Sequence, residues 1–534
     1  MINILKEKRI IILTIITLSI VFFAGYFLRS YFEIISPLPY SPYEMYLESN
    51  IPNIFGGSES LDVFTQKIAS YPLSYTFAKI LGPLNNLYLI YIAGALIIFF
   101  LGREISNSNL GGILAFSAYA VSSENLIQYT KNISHSGLSY ILIWVGLFFI
   151  YRYLTKKEDT YLLLYALAST LAITTYHTGA AAVAVISSVL LTSALHKNNQ
   201  AESKFIGTLL IIISFYFIWT FTYDIDELFI IKNALQSISL LGWLVTSIGA
   251  GVFILSSQRI TNRLWITSPY IPLVFLTISA VLIFFPIEIF NPLLILGGEY
   301  YYSSTITLNN YLAQALLLHI YLLGCLPLIK KEETRYFIHI WIWALLVIGI
   351  GLFAEGYFAR IFDYSFPLAF VLFGLYWTKE KRFRKIIVPT TIGLLFISQI
   401  IIYNDPFSMR RYYTEEEISA AQELIDSELP KKNIFSDLRT TALFNYLGAE
   451  QVEGLRRFRD YEALFYKQEL IQPIVNSYNH KSPTYIILSQ SMKNIIYDTN
   501  FETTPLEEES YEYYRENFPL YRENNLMEVY RISP

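Results

Sequence analysis

From residue 9 to residue 403 the chain repeats one pattern: an apolar stretch, a short polar turn, another apolar stretch. Most of these stretches approach the roughly 20 residues that a helix needs to cross a bilayer core. A chain patterned this way satisfies its backbone polar groups in lipid only as a bundle of helices. The expected spans number about thirteen, at 9–28, 85–102, 109–126, 136–153, 159–175, 178–195, 205–223, 229–255, 266–286, 309–329, 335–353, 363–378 and 385–403. From Thr160 to Leu195 the apolar run is too long for one span, and His177-Thr-Gly179 is expected to turn it into a hairpin. Only 15% of the residues are charged, against about 25% in soluble domains.

The charges themselves alternate. Lys6, Lys8, Arg9, Arg103, Arg152, Lys156, Lys157, Lys197, Lys204, Arg259, Arg263, Lys330, Lys331, Arg335 and the run from Lys379 to Lys385 fall in every second turn. The remaining turns before the tail hold only Arg29, Lys67, Lys79, Lys131, Lys232 and Arg360. Cytoplasmic turns carry the excess of Lys and Arg, so the amino terminus is expected inside the cell and the carboxyl terminus outside. The first stretch, Ile10 to Leu28, follows Lys6, Lys8 and Arg9 and reads as an uncleaved anchor.

After Tyr403 the composition becomes charged and tyrosine-rich. Thr414-Glu-Glu-Glu417 has the form of a capping box, with Pro430 ending the helix that it opens. Residues 433–435, 485–488 and 527–532 read as strands, Ser436 as the cap of a further helix, and Gly448 as that helix's stop. The expected fold class is thus an α-helical polytopic membrane protein, residues 1–404, with a small α/β extracytoplasmic domain, residues 405–534. A net charge of −4 gives no basis for a nucleic-acid partner, and Cys325 alone forms neither an internal disulfide nor a thiolate metal site.

The polar outer turns carry the candidate chemistry. The largest is the loop 29–84, with Glu44, Glu48, Glu59 and Asp62 among many aromatic residues. Glu44 lies where a carboxylate could deprotonate a hydroxyl at the membrane surface, and Ser41-Pro-Tyr-Glu44 is equally a capping box. Asp62 reads as a second base, a metal ligand or a solvated loop acid. Arg360 breaks the charge bias of its face. It suits the phosphate of a lipid carrier, gripped by two parallel hydrogen bonds, or an ion pair with Glu355 or Asp363. Lys131, His135 and His177 are further outer-turn groups that could steady a phosphate, or serve only structure. No cluster has zinc-site spacing and no phosphate-binding glycine loop is present.

The acidic first loop, Tyr71-Pro-Leu73 ahead of an interfacial helix, the many spans, the α/β tail and the segment Arg360-Ile-Phe-Asp-Tyr-Ser-Phe-Pro367 together form a pattern. In it the chain resembles the GT-C superfamily of polyprenyl-phosphate-sugar-dependent glycosyltransferases, in particular prokaryotic members of the protein mannosyltransferase and aminoarabinose transferase type. The resemblance implies an inverting, one-step transfer of a sugar from a polyprenyl-phosphate carrier to a glycan, lipid or protein acceptor on the outer face. It also implies Glu44 or Asp62 as base, and Arg360 with His177 and Lys131 around the donor phosphate. Tyr43, Tyr46, Tyr71, Glu355 and Asp363 would face sugar and acceptor. Family members usually carry an aspartate soon after the first span; here Pro39-Tyr-Ser-Pro-Tyr-Glu44 offers a glutamate. The Trp-Trp-Asp signature of oligosaccharyltransferase catalytic subunits is missing, which speaks against whole-glycan transfer to asparagine. Many members work without metal while the oligosaccharyltransferases need a divalent ion, so a cofactor is not specified. The rival readings are a transporter or flippase of a lipid-linked or anionic substrate, and a non-catalytic scaffold on the same fold.

Overall fold

A computed structural model of the chain describes residues 17, 19–24, 27, 83–122, 135–175, 177–196, 203–222, 270–287, 305–325, 328–354 and 361–404 of the helical part. Of the C-terminal part it describes 413–427, 429–430, 434–437, 440–441, 443–444, 447–449, 452–454, 483–493, 506 and 508–532. Residues 19–24 are helical. They are followed by α1 (Pro83–Ser106), α2 (Asn109–Val121), α3 (His135–Lys156), α4 (Asp159–Ile173), α5 (His177–His196) and α6 (Ser203–Thr222). Then come α7 (Tyr270–Phe284), α8 (Thr305–Gly324), α9 (Glu332–Ala354), α10 (Ile361–Lys379) and α11 (Arg384–Asn404). Each of these eleven helices falls on an expected span; the span expected at 229–255 lies outside the described residues.

Among the described residues, Gly137–Lys156 and Arg384–Ile402 are long and apolar enough to cross a bilayer on their own criteria of length and composition. Asn109–Val121, Asp159–Ile173, Gly179–Leu195, Ser203–Trp219 and Tyr270–Phe284 are shorter apolar helices. Several expose large side chains outward, among them Leu163 at 71%, Ile211 at 68%, Ile218 at 64% and Val274 at 53%. In water such stripes would be sticky patches; in hydrocarbon they are the expected solvent-facing surface.

α10 is the inner element. Every residue from Tyr364 to Trp377 is buried, as expected of a helix apolar all round. It packs on α1, α2 and α9, and its contact with α2 is set by glycine. A Cβ on Gly374 would overlap the Gly111 carbonyl oxygen; in the neighbouring α1–α2 contact, one on Gly102 would crowd Ala115 and the Gly111 backbone. Small residues let the backbones of membrane helices approach this closely.

The hairpin between α4 and α5 turns earlier than His177-Thr-Gly179. α4 ends at Ile173, Thr174 and Thr175 form the turn, and His177 already opens α5. The threonines supply the stop: both hydroxyls donate to the Leu171 carbonyl, at 3.0 and 2.5 Å. Gly179 serves packing instead, because a Cβ there would collide with Ser139 on α3.

The bundle has two chemically distinct ends. At one, Arg152 donates to Glu104 (2.7 Å) and to Tyr161 (3.2 Å), Tyr151 bonds Thr334 (3.1 Å), and Lys204 pairs with Asp159 (2.7 Å). These links join the carboxyl ends of α1 and α3 to the amino ends of α4, α6 and α9. The described cations from Arg103 to Lys385 sit in these turns, so the alternation in the sequence is a physical segregation of charge.

The C-terminal segment from Tyr403 onward belongs to a second compact unit of the chain. Helix α12 (Glu415–Asp426) opens with the expected capping box: Glu417 N–H donates to Thr414 Oγ1 (3.2 Å) and Thr414 N–H to Glu417 (2.9 Å). Strands β1 (Ile434–Ser436), β2 (Val452–Gly454), β3 (Tyr485–Ser489), β4 (Leu520–Glu523) and β5 (Met527–Arg531) form one sheet in the order β2-β1-β3-β5-β4. Pairing is parallel from β2 to β3 and antiparallel from β3 to β4. Helix α13 (Glu508–Asn517) buries Tyr511 and Tyr514 against Ile486, Leu488 and Tyr530. Ser436 is not a cap: its hydroxyl donates to the Ile487 carbonyl inside the sheet (2.9 Å). Asp437 takes that role, accepting from Thr440 N–H at 2.8 Å. Gly448, at φ +92, stops the segment as expected, with Ala449 N–H returning to the Phe444 carbonyl.

Candidate functional site at the polar end of the bundle

The second end of the bundle is where the candidate outer turns attach. Tyr91 of α1 stacks on Tyr119 of α2, centroids 5.9 Å apart. Tyr140 of α3 meets Tyr364 of α10 at 5.1 Å. Gly179 of α5 lies against Ser139 of α3, and Gly349 of α9 against Ile361 of α10. The amino ends of α3, α5 and α10 and the carboxyl end of α9 therefore converge.

That convergence concerns the sequence candidates directly. His177 is the first residue of α5, and Asp363 stands in the first turn of α10. Glu355 and Arg360 fall between the end of α9 and the start of α10, and Lys131 falls ahead of α3; these three lie outside the described residues. So do Glu44, Asp62, Tyr43, Tyr46 and Tyr71, which precede α1. The helix starts that hold His177 and Asp363 both lie against the start of α3, although 186 sequence positions separate the two residues. Each helix start leaves free N–H donors and the positive end of its dipole, worth about half an elementary charge. Three such starts at one place favour an anion. Pro367 adds to the polarity of this end, having no N–H to give the Asp363 carbonyl four residues back.

Sequence reasoning overlooked the polar side chains buried within the spans. His319 of α8 bonds Ser365 of α10 through Nε2 at 2.7 Å, and the Ala315 carbonyl through Nδ1 at 3.0 Å. A carbonyl only accepts, so Nδ1 carries the proton and Ser365 donates to Nε2. Deeper in α8, Gln314 donates to Ser398 of α11 at 2.9 Å. Asn309 clasps the N–H and carbonyl of Ile287, at 3.1 and 3.2 Å. Polar residues inside otherwise apolar spans were the available signal, since lipid-embedded polar groups are costly unless paired. Among the described residues no group of three His, Cys, Asp or Glu side chains could hold a metal ion.

No family model matches the sequence, and no match is found among curated proteins. Solved structures do match. The oligosaccharyltransferase of Archaeoglobus fulgidus in its apo form aligns over 90% of this chain and 70% of its own, with 13% identity and a TM-score of 0.52. The same archaeal protein, AglB, in complex with an inhibitory peptide and a dolichol-phosphate, aligns over the same shares with a TM-score of 0.50. ArnT from Cupriavidus metallidurans in the apo state aligns over 98% of both chains at 10% identity, with a TM-score of 0.45. At such identities the likeness speaks for fold. The chain shares the fold of the Archaeoglobus fulgidus oligosaccharyltransferase.

Proposed function

We propose, from this shared fold, that the chain is an integral membrane glycosyltransferase that moves a sugar from a polyprenyl-phosphate carrier to an acceptor on the outer membrane face. The observation that carries the reading is the convergence of three helix starts, α3, α5 and α10, at one end of the bundle. A carrier phosphate needs positive potential at the membrane surface; the backbone dipoles of these helix starts supply it, and in this proposal the guanidinium of Arg360, next in sequence to α10, adds to it. AglB, of the same fold, binds a dolichol-phosphate.

In the proposed reaction a carboxylate, Glu44 or alternatively Asp62, takes the proton of the acceptor hydroxyl. The acceptor oxygen forms its bond to the anomeric carbon from the face opposite the carrier, and the bond from that carbon to the phosphate oxygen breaks. The product is inverted, and the electron pair leaves on polyprenyl phosphate. Arg360, with His177 and Lys131, stabilises that leaving charge. Tyr43, Tyr46 and Tyr71 present aromatic faces to sugar rings, and Glu355 and Asp363 orient hydroxyls. The cationic end of the bundle faces the cytoplasm and the C-terminal unit lies outside. The thirteen-span count belongs to the same proposal.

Purified full-length protein would be offered a panel of polyprenyl-phosphate sugars with cell-envelope acceptors, beside Glu44→Gln, Asp62→Asn and Arg360→Ala. Transfer by the wild type that falls at least ~100-fold in one carboxylate variant identifies the base. Arg360→Ala is expected to weaken donor binding and slow turnover. A wild type that neither binds nor consumes any donor would overturn the reading and leave transport or scaffolding in its place.

A further inference from the structure

The opposite end of the bundle carries a second feature, unrelated to sugar transfer. The turn joining α10 to α11 places Lys379, Lys381, Arg382, Arg384 and Lys385 within seven residues. Lys379, Lys381, Arg382 and Lys385 are exposed, and among the described residues none of the four pairs with a carboxylate. The acid in the run is already engaged: Glu380 accepts from the Arg382 backbone N–H at 2.6 Å. Arg384 points inward and caps α10 through the Trp377 carbonyl, at 3.1 Å.

Arg382 is held rather than loose. Its guanidinium lies 4.9 Å from the Tyr270 ring centroid and 5.0 Å from that of Phe383, and Nη2 donates to Tyr270 Oη at 2.6 Å. Phe383 adopts φ +57, a left-handed conformation costly for an aromatic residue. That conformation belongs to the turn which sets Phe383 beside Tyr270, centroids 5.7 Å apart with the ring planes tilted at 58°. Strain of this kind is kept where the surroundings over-determine it. The outcome is an exposed planar cation held against two aromatic rings, a group suited to a phosphate.

Beside the cations the surface becomes apolar at once. Ile386 is 63% exposed on the first turn of α11, and Tyr270, Leu273 and Val274 are exposed on the first turns of α7. An anion at Arg382 therefore has hydrocarbon-facing surface next to it, which a soluble phosphate would not use and acyl chains would.

We propose that the α10–α11 turn, with the starts of α7 and α11, binds a glycerophospholipid with an anionic headgroup, of the phosphatidylglycerol class. Arg382 grips the phosphodiester, Lys381 and Lys385 add attraction, and the acyl chains lie along Ile386 and the outer face of α7. Juxtamembrane basic clusters draw anionic lipid in this manner. Cations that served only to orient the chain would need neither the two aromatic rings nor the left-handed Phe383.

The test is lipid binding to the full-length protein in a neutral detergent, read by native mass spectrometry. Phosphatidylglycerol, phosphatidylcholine and water-soluble glycerol 1-phosphate are titrated separately and in competition. Phosphatidylglycerol is expected to bind at least ~10-fold more tightly than phosphatidylcholine. Arg382→Ala with Lys385→Ala should lose about 10- to 30-fold of that affinity without changing phosphatidylcholine binding. Arg382→Lys, which keeps charge but not the stacked plane, should fall between. Should the double variant fail to fold, Lys381→Ala on the exposed rim must still weaken phosphatidylglycerol by about fivefold. Equal binding of the two lipids, unaltered affinity in the variants, or displacement of the lipid by equimolar glycerol 1-phosphate would each overturn the proposal.

Discussion

Tyr140 and Tyr364 meet edge to face, with ring centroids 5.1 Å apart and planes at 73°. The pair fastens the first turns of α3 to those of α10, so it fixes the spacing of two helix starts at the polar end. Such a contact is worth about 0.5–1.5 kcal/mol beyond area burial. Tyr364→Leu is expected to lower the thermal midpoint in detergent and to weaken donor binding threefold or more, because small misplacements at a site are expensive. Tyr153 and Phe205 provide the control, stacking at 5.5 Å at the cationic end. Tyr153→Leu should cost similar stability and leave donor binding unchanged. Parallel loss of donor binding in both variants would mean that the bundle responds as a whole and that the Tyr140–Tyr364 contact has no special place.

The bond between Ser365 and His319 makes a narrower prediction. Ser365 gives its proton to Nε2, so Ser365→Ala removes a donor from a buried imidazole. Hydrogen bonds between membrane helices average about 0.6 kcal/mol, with a maximum near 1.7 kcal/mol. A double-mutant cycle with Ser365→Ala and His319→Phe, measured by reversible unfolding in mixed detergent, should give a coupling inside that range. A coupling indistinguishable from zero would show that the contact does not hold α8 to α10.

The helices were legible in the sequence because lipid imposes one rule on every span, and length and hydropathy suffice to apply it. The α4–α5 turn was not. His177-Thr-Gly179 carries the usual marks of a break, yet the chain stops at Thr174 and Thr175, whose hydroxyls return to Leu171. Gly179 was a packing glycine, and only the position of Ser139 on another helix reveals it. The tail shows the same division. Its capping box and Gly448 are local signals and read directly, whereas Ser436 was drawn into the sheet by Ile487, fifty-one positions away. β4 has no inward apolar pattern, with three of its four residues exposed, so hydropathy could not find it. As for the site, residue chemistry pointed to His177 and to the segment from Glu355 to Asp363 separately. That the starts of α5 and α10 lie at the same end, both against α3, follows from packing which periodicity does not encode.

Glycine placement yields a test with an internal contrast. Gly374 faces the Gly111 carbonyl with no room for a methyl group, while nothing lies within 4 Å of a Cβ built on Gly393 or Gly207. Gly374→Ala should destabilise by about 1–3 kcal/mol, the usual cost of overpacking. Gly393→Ala and Gly207→Ala should be neutral or slightly stabilising, since alanine is the better helix former by about 1 kcal/mol. The comparison is read from thermal midpoints of the three purified variants. Similar midpoints for Gly374→Ala and Gly393→Ala would contradict the close α2–α10 approach.

In the C-terminal unit, Glu508 at the start of α13 pairs with Lys493 at 2.5 Å and Arg515 at 3.4 Å. Arg515 in turn reaches Glu528 on β5 at 2.6 Å. The bond to Lys493 is the main reason that the Glu508 carboxyl titrates below its ordinary range, with the charge of Arg515 acting in the same direction. The folded unit therefore binds this proton less readily than the unfolded chain. Its stabilisation is complete above the ordinary glutamate value of about 4.3 and is lost as pH falls through the lower folded value. Because Glu508 is solvent-exposed, the effect is small and salt-screened. Hydrogen exchange of the α13 and β3 amides in the full-length protein, corrected for intrinsic rates, should show protection declining below about pH 4. Glu508→Gln should begin with less protection at neutral pH and decline less steeply in acid, and high salt should bring the wild type toward the variant. An acid decline of equal slope in both proteins would assign the pH dependence to other carboxylates, and Glu528 beside Arg515 would be the next to substitute.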